Sequence, residues 1–160
     1  MTRVMSGHFF GVFMNTINVW KIKAVITNAI LPVKAHPTDL GYDLFAAEDV
    51  TISEGETALV RTGIACNFPR GWGAIIRDRS SVATRRRLHV VAGVIDNGYT
   101  GEIRVALHYP MGDGLTSCSI RAGEKIAQLL PYPVVSWILQ EVDSLEETDR
   151  AERGFGSSGV

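Results

Sequence analysis

Cysteine and net charge are both scarce in this sequence, and each shortage narrows the possible functions. The two cysteines, Cys66 and Cys118, have neither the spacing of metal ligands nor the density of a disulfide-rich domain. Free thiols are therefore favoured over a disulfide bridge, which predicts a reducing, cytoplasmic compartment. Sixteen Lys and Arg against seventeen Asp and Glu leave a net charge of −1, which predicts neither stable nucleic-acid binding nor membrane binding. An anionic ligand would have to be held by locally placed donors.

Long apolar runs and familiar metal or phosphate motifs are missing as well. The apolar patch at residues 8–13 is too short to span a bilayer. A lone Arg3 precedes it and no small-residue cleavage pattern follows, so a secretory signal is not expected. No pair of histidines has the spacing of zinc ligands. Neither Gly-x-x-x-x-Gly-Lys nor Gly-x-Ser-x-Gly occurs.

Short β-prone segments separated by Gly and Pro turns make up most of the chain. The clearest is residues 102–109, where apolar and more polar residues alternate. Its predicted inward face consists of Ile103, Val105, Leu107 and Tyr109. Similar runs are residues 19–26, 58–64, 73–77, 90–95, 125–130 and 134–142. With one short helix at residues 81–88, capped by Ser80 or Ser81, this spacing predicts an all-β sandwich, barrel or jelly roll.

The composition divides the chain into three parts. Residues 1–18 are an N-terminal extension of unknown order, residues 19–142 are the β domain, and residues 143–160 form a polar, glycine-rich tail. Composition alone predicts that this C-terminal tail is flexible and disordered. However, Phe155 lies between two glycines and is followed by hydroxyls, a pattern that also fits a flexible cover with a stacking residue.

Residues 92–102 contain the most suggestive carboxylate. Asn97-Gly98 favours the tight turn of a β-hairpin, and structure alone would explain most of this segment. A hairpin does not explain why Asp96 directly follows two apolar residues, at a place suited to taking a proton from water. Tyr99 would add a flat ring against which a sugar can pack.

Residues 77–83 predict a helix start that doubles as an anion site. Backbone N–H groups, two serine hydroxyls and the Arg79 guanidinium together suit phosphates. The following arginines, residues 85–87, are more typical of a solvated face than of a binding patch. Residues 123–130 read as a turn and a strand. Asp43, within residues 41–47, is either a buried structural acid or part of a metal's outer shell.

Taken in order, these four segments and the tail resemble the five motifs of the trimeric dUTP diphosphatase (dUTPase) family, from about Lys21 to the C-terminus. The resemblance implies a jelly-roll fold and a homotrimer whose active sites are shared between subunits. It also implies hydrolysis of dUTP to dUMP and diphosphate, with Mg²⁺ carried on the triphosphate. Such an activity keeps uracil out of DNA and supplies dUMP for dTMP synthesis.

The resemblance also assigns roles to individual residues. Asp96 matches the carboxylate that activates the water attacking the α-phosphorus, and Tyr99 matches the ring that excludes a 2′-hydroxyl. Asp43 matches an acid near the metal's water shell. The remaining substrate-binding residues are Gly93, Val94 and Ile95 at the uracil edge, Arg79, Ser80, Ser81 and Gln128 at the phosphates, Arg104 on the strand after the hairpin, Phe155 and Gly156 over the base, and Arg150, Ser157 and Ser158 at the terminal phosphate.

Two departures from the family pattern leave alternatives open. The phosphate motif usually reads Arg-Ser-Gly, whereas this chain has Ser81, and the tail has Ala151 and Arg153 where glycines are usual. The related dCTP deaminases share the fold and carry Arg-Ser-Ser, but they need a proton-shuttling glutamate where this chain has Ala106. A trimeric regulatory or binding protein that uses the same fold is the other alternative.

Overall fold

Ten strands and one helix make up the part of the chain that the computed structural model describes, residues 19–112 and 114–146. In chain order they are β1 (Lys21–Ala24), β2 (Tyr42–Phe45), β3 (Val50–Ser53), β4 (Thr57–Asn67), β5 (Trp72–Arg77), α1 (Ser80–Arg86), β6 (His89–Ala92), β7 (Val94–Ile95), β8 (Glu102–His108), β9 (Ser117–Ile120) and β10 (Lys125–Pro133). The predictions missed β2, β3 and β9, because four residues are too few to show a clear alternation.

The strands form three antiparallel sheets. The strand order is β1-β4-β8-β6 in the first sheet and β2-β10-β5-β7 in the second, and β3 pairs with β9 in the third. Within the described residues no pairing joins two strands that are consecutive in the chain. The chain therefore changes sheet at every connection between successive described strands, as in a jelly roll, and the predicted all-β class is confirmed.

All three sheets contribute side chains to one core. The inward face predicted for residues 102–109 is confirmed, since its four side chains are at most 1% exposed. Leu44 and Leu129 from the second sheet and Ile52 from the third pack in the same cluster. Removing each such side chain from water stabilises the fold by about 1.5 to 3 kcal/mol.

The helix differs from its prediction in both register and capping. It begins at Ser80 rather than residue 81, and the residue at the N-cap is Arg79, whose extended backbone ends the approach from β5. Neither serine caps the helix, because Ser81 Oγ accepts a hydrogen bond from Arg79 Nη1 instead (2.7 Å). The helix ends at Arg86, and Arg87 follows in the left-handed conformation with φ of 56°.

Residues 90–95 were predicted to form one strand of a tight hairpin. They instead form two strands in different sheets. β6 pairs with β8, whereas β7 pairs with β5. Gly93 allows the switch, because a Cβ there would lie 2.5 Å from the carbonyl oxygen of Ile76. Asn97-Gly98 still makes a turn, closed by a bond from Tyr99 N–H to Asp96 C=O (3.1 Å), but its flanking strands do not pair with each other.

The prediction of a strand at residues 134–142 is wrong for the isolated chain. β10 ends at Pro133, and no strand follows within residues 134–146. Trp137, Ile138 and Leu139 are 81%, 99% and 93% exposed. A strand needs a neighbouring strand to pair with its backbone N–H and C=O groups. In one chain, no described strand pairs with this segment. Residues 134–146 are called the arm below.

Two further expectations concern the thiols and the membrane. Cys66 and Cys118 are both free, as predicted, and burial raises the pKa of the Cys66 thiol to about 11. That thiol therefore stays protonated and unreactive at neutral pH. Among the described residues, no helix has the length and apolar character needed to cross a membrane.

Candidate active site

A cavity of about 400 Å³ brings together residues from three of the predicted segments. It is lined by Asp43 from β2, Gln128 from β10, Arg79, Ser80 and Ser81 at the start of α1, and Ala35, Asp39, Leu40 and Gly41 from the preceding loop. The sequence predictions did not include residues 35–40, since no pattern marks this loop.

Strand pairing explains why distant segments meet here. β10 lies between β2 and β5, and Gln128 is opposite Asp43 on one side and Arg77 on the other. Arg79 and Ser80 follow directly after the end of β5. The central strand thus sets the spacing of the whole cavity.

Asp43 is held between two cations at the floor of this cavity. Arg79 Nε lies 2.9 Å from Oδ1 and Lys125 Nζ lies 2.8 Å from Oδ2. Burial raises the pKa of Asp43, but the hydrogen bonds and charges of Lys125 and Arg79 outweigh it and hold the pKa below its usual value. Lys125 was not among the predicted site residues, although it directly follows Gly123-Glu124 in the segment of residues 123–130.

The side chain of Gln128 has a fixed orientation. Its Nε2 donates to the carbonyl oxygen of Asp78 (2.8 Å). A Cβ at Gly41 would lie 2.6 Å from its Oε1, so glycine is the residue that leaves room for the carboxamide. Together with the Arg79 guanidinium and two hydroxyls, this donor set can hold an oxyanion such as a phosphate.

The segment with Asp96 forms a second, separate group. Asp96 is exposed, and Val94 is 76% exposed, so Val94 does not enclose the carboxylate in an apolar pocket in a single chain. Tyr99 folds back so that its hydroxyl donates to the carbonyl oxygen of Glu102 (2.9 Å). A Cβ at Gly101 would lie 2.7 Å from that hydroxyl, so Gly101 is needed for this ring position.

Glu102 anchors the end of this second group. Its carboxylate accepts bonds from Arg61 Nε (3.1 Å to each oxygen), from Gly63 N–H (3.0 Å) and from Arg104 Nε (3.3 Å). Burial raises the pKa of Glu102, but the hydrogen bonds lower it by more, so the pKa lies below its usual value. Arg104, a predicted substrate-binding residue, is thus paired with Glu102 and is not among the residues that line the cavity.

Within one chain the two groups lie far apart. Ile95 is opposite Ala74 in β5, which places Asp96 beside Gly73, whereas Gln128 is opposite Arg77 on the other edge of the same strand. The two residues are four positions apart along β5 and two strand spacings apart across the sheet. With ideal strand geometry, their Cα atoms are roughly 16 Å apart. A general base needs to be within hydrogen-bond reach of the water it activates, about 3 Å. Within one chain Asp96 is therefore well beyond hydrogen-bond reach of Gln128.

The arginine run after the serines has a structural role. Arg86 Nη1 donates to Glu124 (2.6 Å) and its Nη2 donates to the carbonyl oxygen of Ser119. Arg87 Nη2 donates to the carbonyl oxygen of Met111 (3.1 Å). These contacts join the end of α1 to the β9 side of the fold. Arg150, Phe155, Gly156, Ser157 and Ser158 lie outside the described residues.

No group of three or more His, Cys, Asp or Glu side chains that could hold a metal ion occurs in the described ranges. The donor set fits an ion carried by a ligand and held through water. Each oxygen of Asp43 accepts one bond from a cation and keeps a lone pair for a metal-bound water.

Comparisons with known proteins agree on one family. A family model described as dUTPase matches residues 27–159. The deoxyuridine 5'-triphosphate nucleotidohydrolase of Thermobifida fusca is 46% identical over 131 residues, which cover 81% of this chain and 72% of that protein. The protein of the same name from Gloeothece citriformis is 42% identical over 142 residues, which cover 88% of this chain and 96% of that protein.

Solved structures of phage proteins are similar as well. The dUTPase of Staphylococcus bacteriophage 80alpha with dUPNHPP has a TM-score of 0.83 and 32% identity, covering 89% of this chain and 99% of that one. A mutant dUTPase from phage phi11 of S. aureus, described with a structural Mg(II) ion, has a TM-score of 0.73 and 27% identity, covering 81% of this chain and 100% of that one.

Replacing Asp43 by Asn should destabilise the fold in a pH-dependent way. At pH 7 the loss of the charged partner of Arg79 and Lys125 should cost about 1 to 3 kcal/mol in urea unfolding. Because the folded-state pKa of Asp43 lies below that of the unfolded chain, its stabilisation is present above about pH 4 and is lost as pH falls through the folded-state pKa. The difference between wild type and variant should therefore shrink below pH 4. A difference that stays constant from pH 7 to pH 3 would contradict the assignment.

Proposed function

The chain belongs to the dUTPase family, and we infer that it is a dUTP diphosphatase, which hydrolyses dUTP to dUMP and diphosphate. The observation that carries this conclusion is the match of the family model to residues 27–159, together with a cavity whose donors suit phosphates. The activity removes dUTP, which keeps uracil out of DNA, and supplies dUMP for dTMP synthesis.

We propose that Asp96 is the general base. Its carboxylate would take a proton from water as the water oxygen bonds to the α-phosphorus, and the bond from that phosphorus to the bridging oxygen of the diphosphate would break. The exposed position of Asp96 in one chain leaves it free to face a nucleotide held elsewhere. The Tyr99 ring would pack under the deoxyribose and exclude a ribose hydroxyl, and the backbone at Gly93, Val94 and Ile95 would pair with uracil.

The phosphate side would be supplied by the cavity. Arg79, Ser80, Ser81 and Gln128 would bind the phosphates, because preorganised donors stabilise the charge that builds up on the leaving diphosphate. Mg²⁺ bound through the triphosphate would neutralise further charge there, with Asp43 holding it only through water. Ser81, in place of the usual glycine, contributes its hydroxyl to Arg79 in the free protein (2.7 Å).

We propose that the active sites are shared between copies, with Asp96 from one copy and the cavity from another. The separation of Asp96 from Gln128 in one chain, roughly 16 Å, supports this proposal. The exposed apolar side chains of the arm, such as Trp137 and Ile138, indicate a surface that a second copy covers. We propose a homotrimer, as in the family, in which residues 143–160 of a further copy close over the nucleotide. Phe155 and Gly156 would lie over the base, with Arg150, Ser157 and Ser158 at the terminal phosphate.

We propose that Arg104 contacts the nucleotide and that the protein is cytoplasmic. The Arg104 side chain is 51% exposed beside Glu102, so it can still contact a nucleotide from a neighbouring copy. The two free thiols fit a reducing compartment such as the cytoplasm. The alternative deaminase reaction is disfavoured, because Ala106 is buried and has no proton to transfer.

Substrate selectivity tests the function directly. With Mg²⁺ present, the protein should release diphosphate from dUTP and at least about a hundredfold less from dTTP, dCTP or UTP at equal concentration. Uracil-specific contacts and the Tyr99 ring are the physical reason. The measurement is diphosphate and ammonia release from each nucleotide. Ammonia from dCTP, or no diphosphate from dUTP, would overturn the proposal.

Replacing Asp96 by Asn tests the base. The change keeps the shape of the side chain but removes the proton acceptor, so turnover of dUTP should fall by a factor of at least about a thousand. Binding of a non-hydrolysable dUTP analogue, followed by calorimetry, should change less than about threefold. Glu141, an exposed acid of the arm, can be changed to Gln as a matched control. Turnover within tenfold of wild type would show that another group activates the water.

Mixed oligomers test whether the sites are shared. Asp96→Asn and Arg79→Ala chains should each be inactive alone, but co-expressed in equal amounts they should recover about one quarter of wild-type activity. That fraction follows because a site built from two different copies has one chance in two of an intact residue from each. Recovery absent from co-expressed chains, with both variants assembled normally, would show that each site is built from one copy.

A further inference from the structure

Asp78 lies at a junction between three elements outside the cavity. Its Oδ1 accepts a bond from Val90 N–H (2.6 Å), and its Oδ2 lies 3.0 Å from His89 Nδ1. Its backbone carbonyl oxygen accepts the bond from Gln128 Nε2 (2.8 Å). Asp78 thus contacts β6 through its side chain and β10 through its backbone, and it directly precedes Arg79.

The side-chain bonds of Asp78 join two different sheets. β6 belongs to the first sheet and pairs with β8, whereas β5, which ends one residue before Asp78, belongs to the second. No strand pairing connects β5 with β6. The carboxylate therefore ties the turn after β5 to the edge strand of the other sheet, and a carboxylate that accepts a backbone N–H makes a stronger bond than a neutral acceptor.

The turn that Asp78 fixes carries the phosphate-binding donors. The backbone carbonyl oxygen of Asp78 sets the direction of the Gln128 carboxamide, and the residue after Asp78 is Arg79. Asp78 itself is not among the residues that line this cavity, although it lines a second cavity of about 410 Å³ that shares Gln128 with the first. Both of its side-chain oxygens are already bonded to β6, and its carboxylate would repel a phosphate, so a positioning role fits it better than direct phosphate binding. We propose that Asp78 is a positioning residue for the phosphate-binding half of the site, acting through Gln128 and Arg79. This inference rests on the proposed dUTP hydrolysis.

Replacing Asp78 by Ala should weaken phosphate recognition selectively. The KM for dUTP should rise about tenfold, while kcat should change less than about threefold, since the general base lies elsewhere. The inhibition constant of deoxyuridine, which has no phosphate, should stay within about twofold of wild type. Asp78→Asn should restore most of the affinity, because its carbonyl oxygen can still accept the Val90 N–H bond.

A matched control separates positioning from general loosening of the fold. Asp49 Oδ1 also accepts a backbone N–H bond, from Ala122 (2.8 Å), in a turn that does not line the cavity. Asp49→Ala removes a comparable bond and should leave the KM for dUTP within about twofold of wild type. Circular dichroism and thermal unfolding of each variant show that the β fold is retained.

The route through Gln128 can be measured with a double variant. If Asp78 acts by orienting that carboxamide, adding Asp78→Ala to Gln128→Ala should raise KM by much less than the product of the two separate effects. Independent effects that multiply would overturn this route. An unchanged KM in Asp78→Ala, or an equal loss of deoxyuridine affinity, would overturn the positioning role itself.

Binding measurements distinguish failure of this inference from failure of the proposed function. Calorimetry with the α,β-imido analogue of dUTP needs no turnover. Wild type that binds the analogue without hydrolysing dUTP would refute the proposed activity, yet weaker binding by Asp78→Ala would still support the role of Asp78. Equal binding of the analogue by wild type and Asp78→Ala refutes the positioning role whatever the turnover.

Discussion

Strand β10 hydrogen-bonds to β2 on one side and to β5 on the other, and the candidate phosphate site depends on this double pairing. Three segments that are far apart in sequence meet at one cavity because a single residue, Gln128, lies between Asp43 and Arg77 across the strands. A shift of register by one residue would turn Gln128 to the other face of the sheet. The core side chains of β10, such as Leu129, keep the register fixed because they are fully buried.

Local charge explains how a nearly neutral chain can bind a strong anion. Arg79 and Lys125 meet around Asp43, so the three side chains together carry one positive charge. The carboxylate holds the two cations in place before any nucleotide arrives, so less side-chain freedom is lost on binding. The negative charge of Asp43 also weakens the attraction of the two cations for an anion. Removing this carboxylate would strengthen that attraction but would leave Arg79 and Lys125 less ordered. Overall composition carries no trace of this balance.

Pattern reasoning succeeded where a residue's role is local and failed where it depends on a neighbour in space. The alternation around Leu107 predicted a buried strand face, and the core confirms it. The break at Gly93 could not be predicted, because it depends on the close approach of a carbonyl from another strand. Lys125 and Asp78 carried no signal, since an ion pair or a tie between sheets has no fixed spacing in sequence. The roles of Asp96 and Arg79 were suggested by their neighbours in sequence and made specific by family resemblance, and they stay predictions.

The arm has a consequence for the life of the protein before assembly. A newly made chain presents Trp137, Ile138 and Leu139 to water, and exposed apolar, β-prone segments join readily to the wrong partner. In the proposed homotrimer a second copy covers this surface, so correct and incorrect partners would compete for it during assembly. The yield of assembled enzyme would then depend on the rate of synthesis and on chaperones as well as on the stability of the fold.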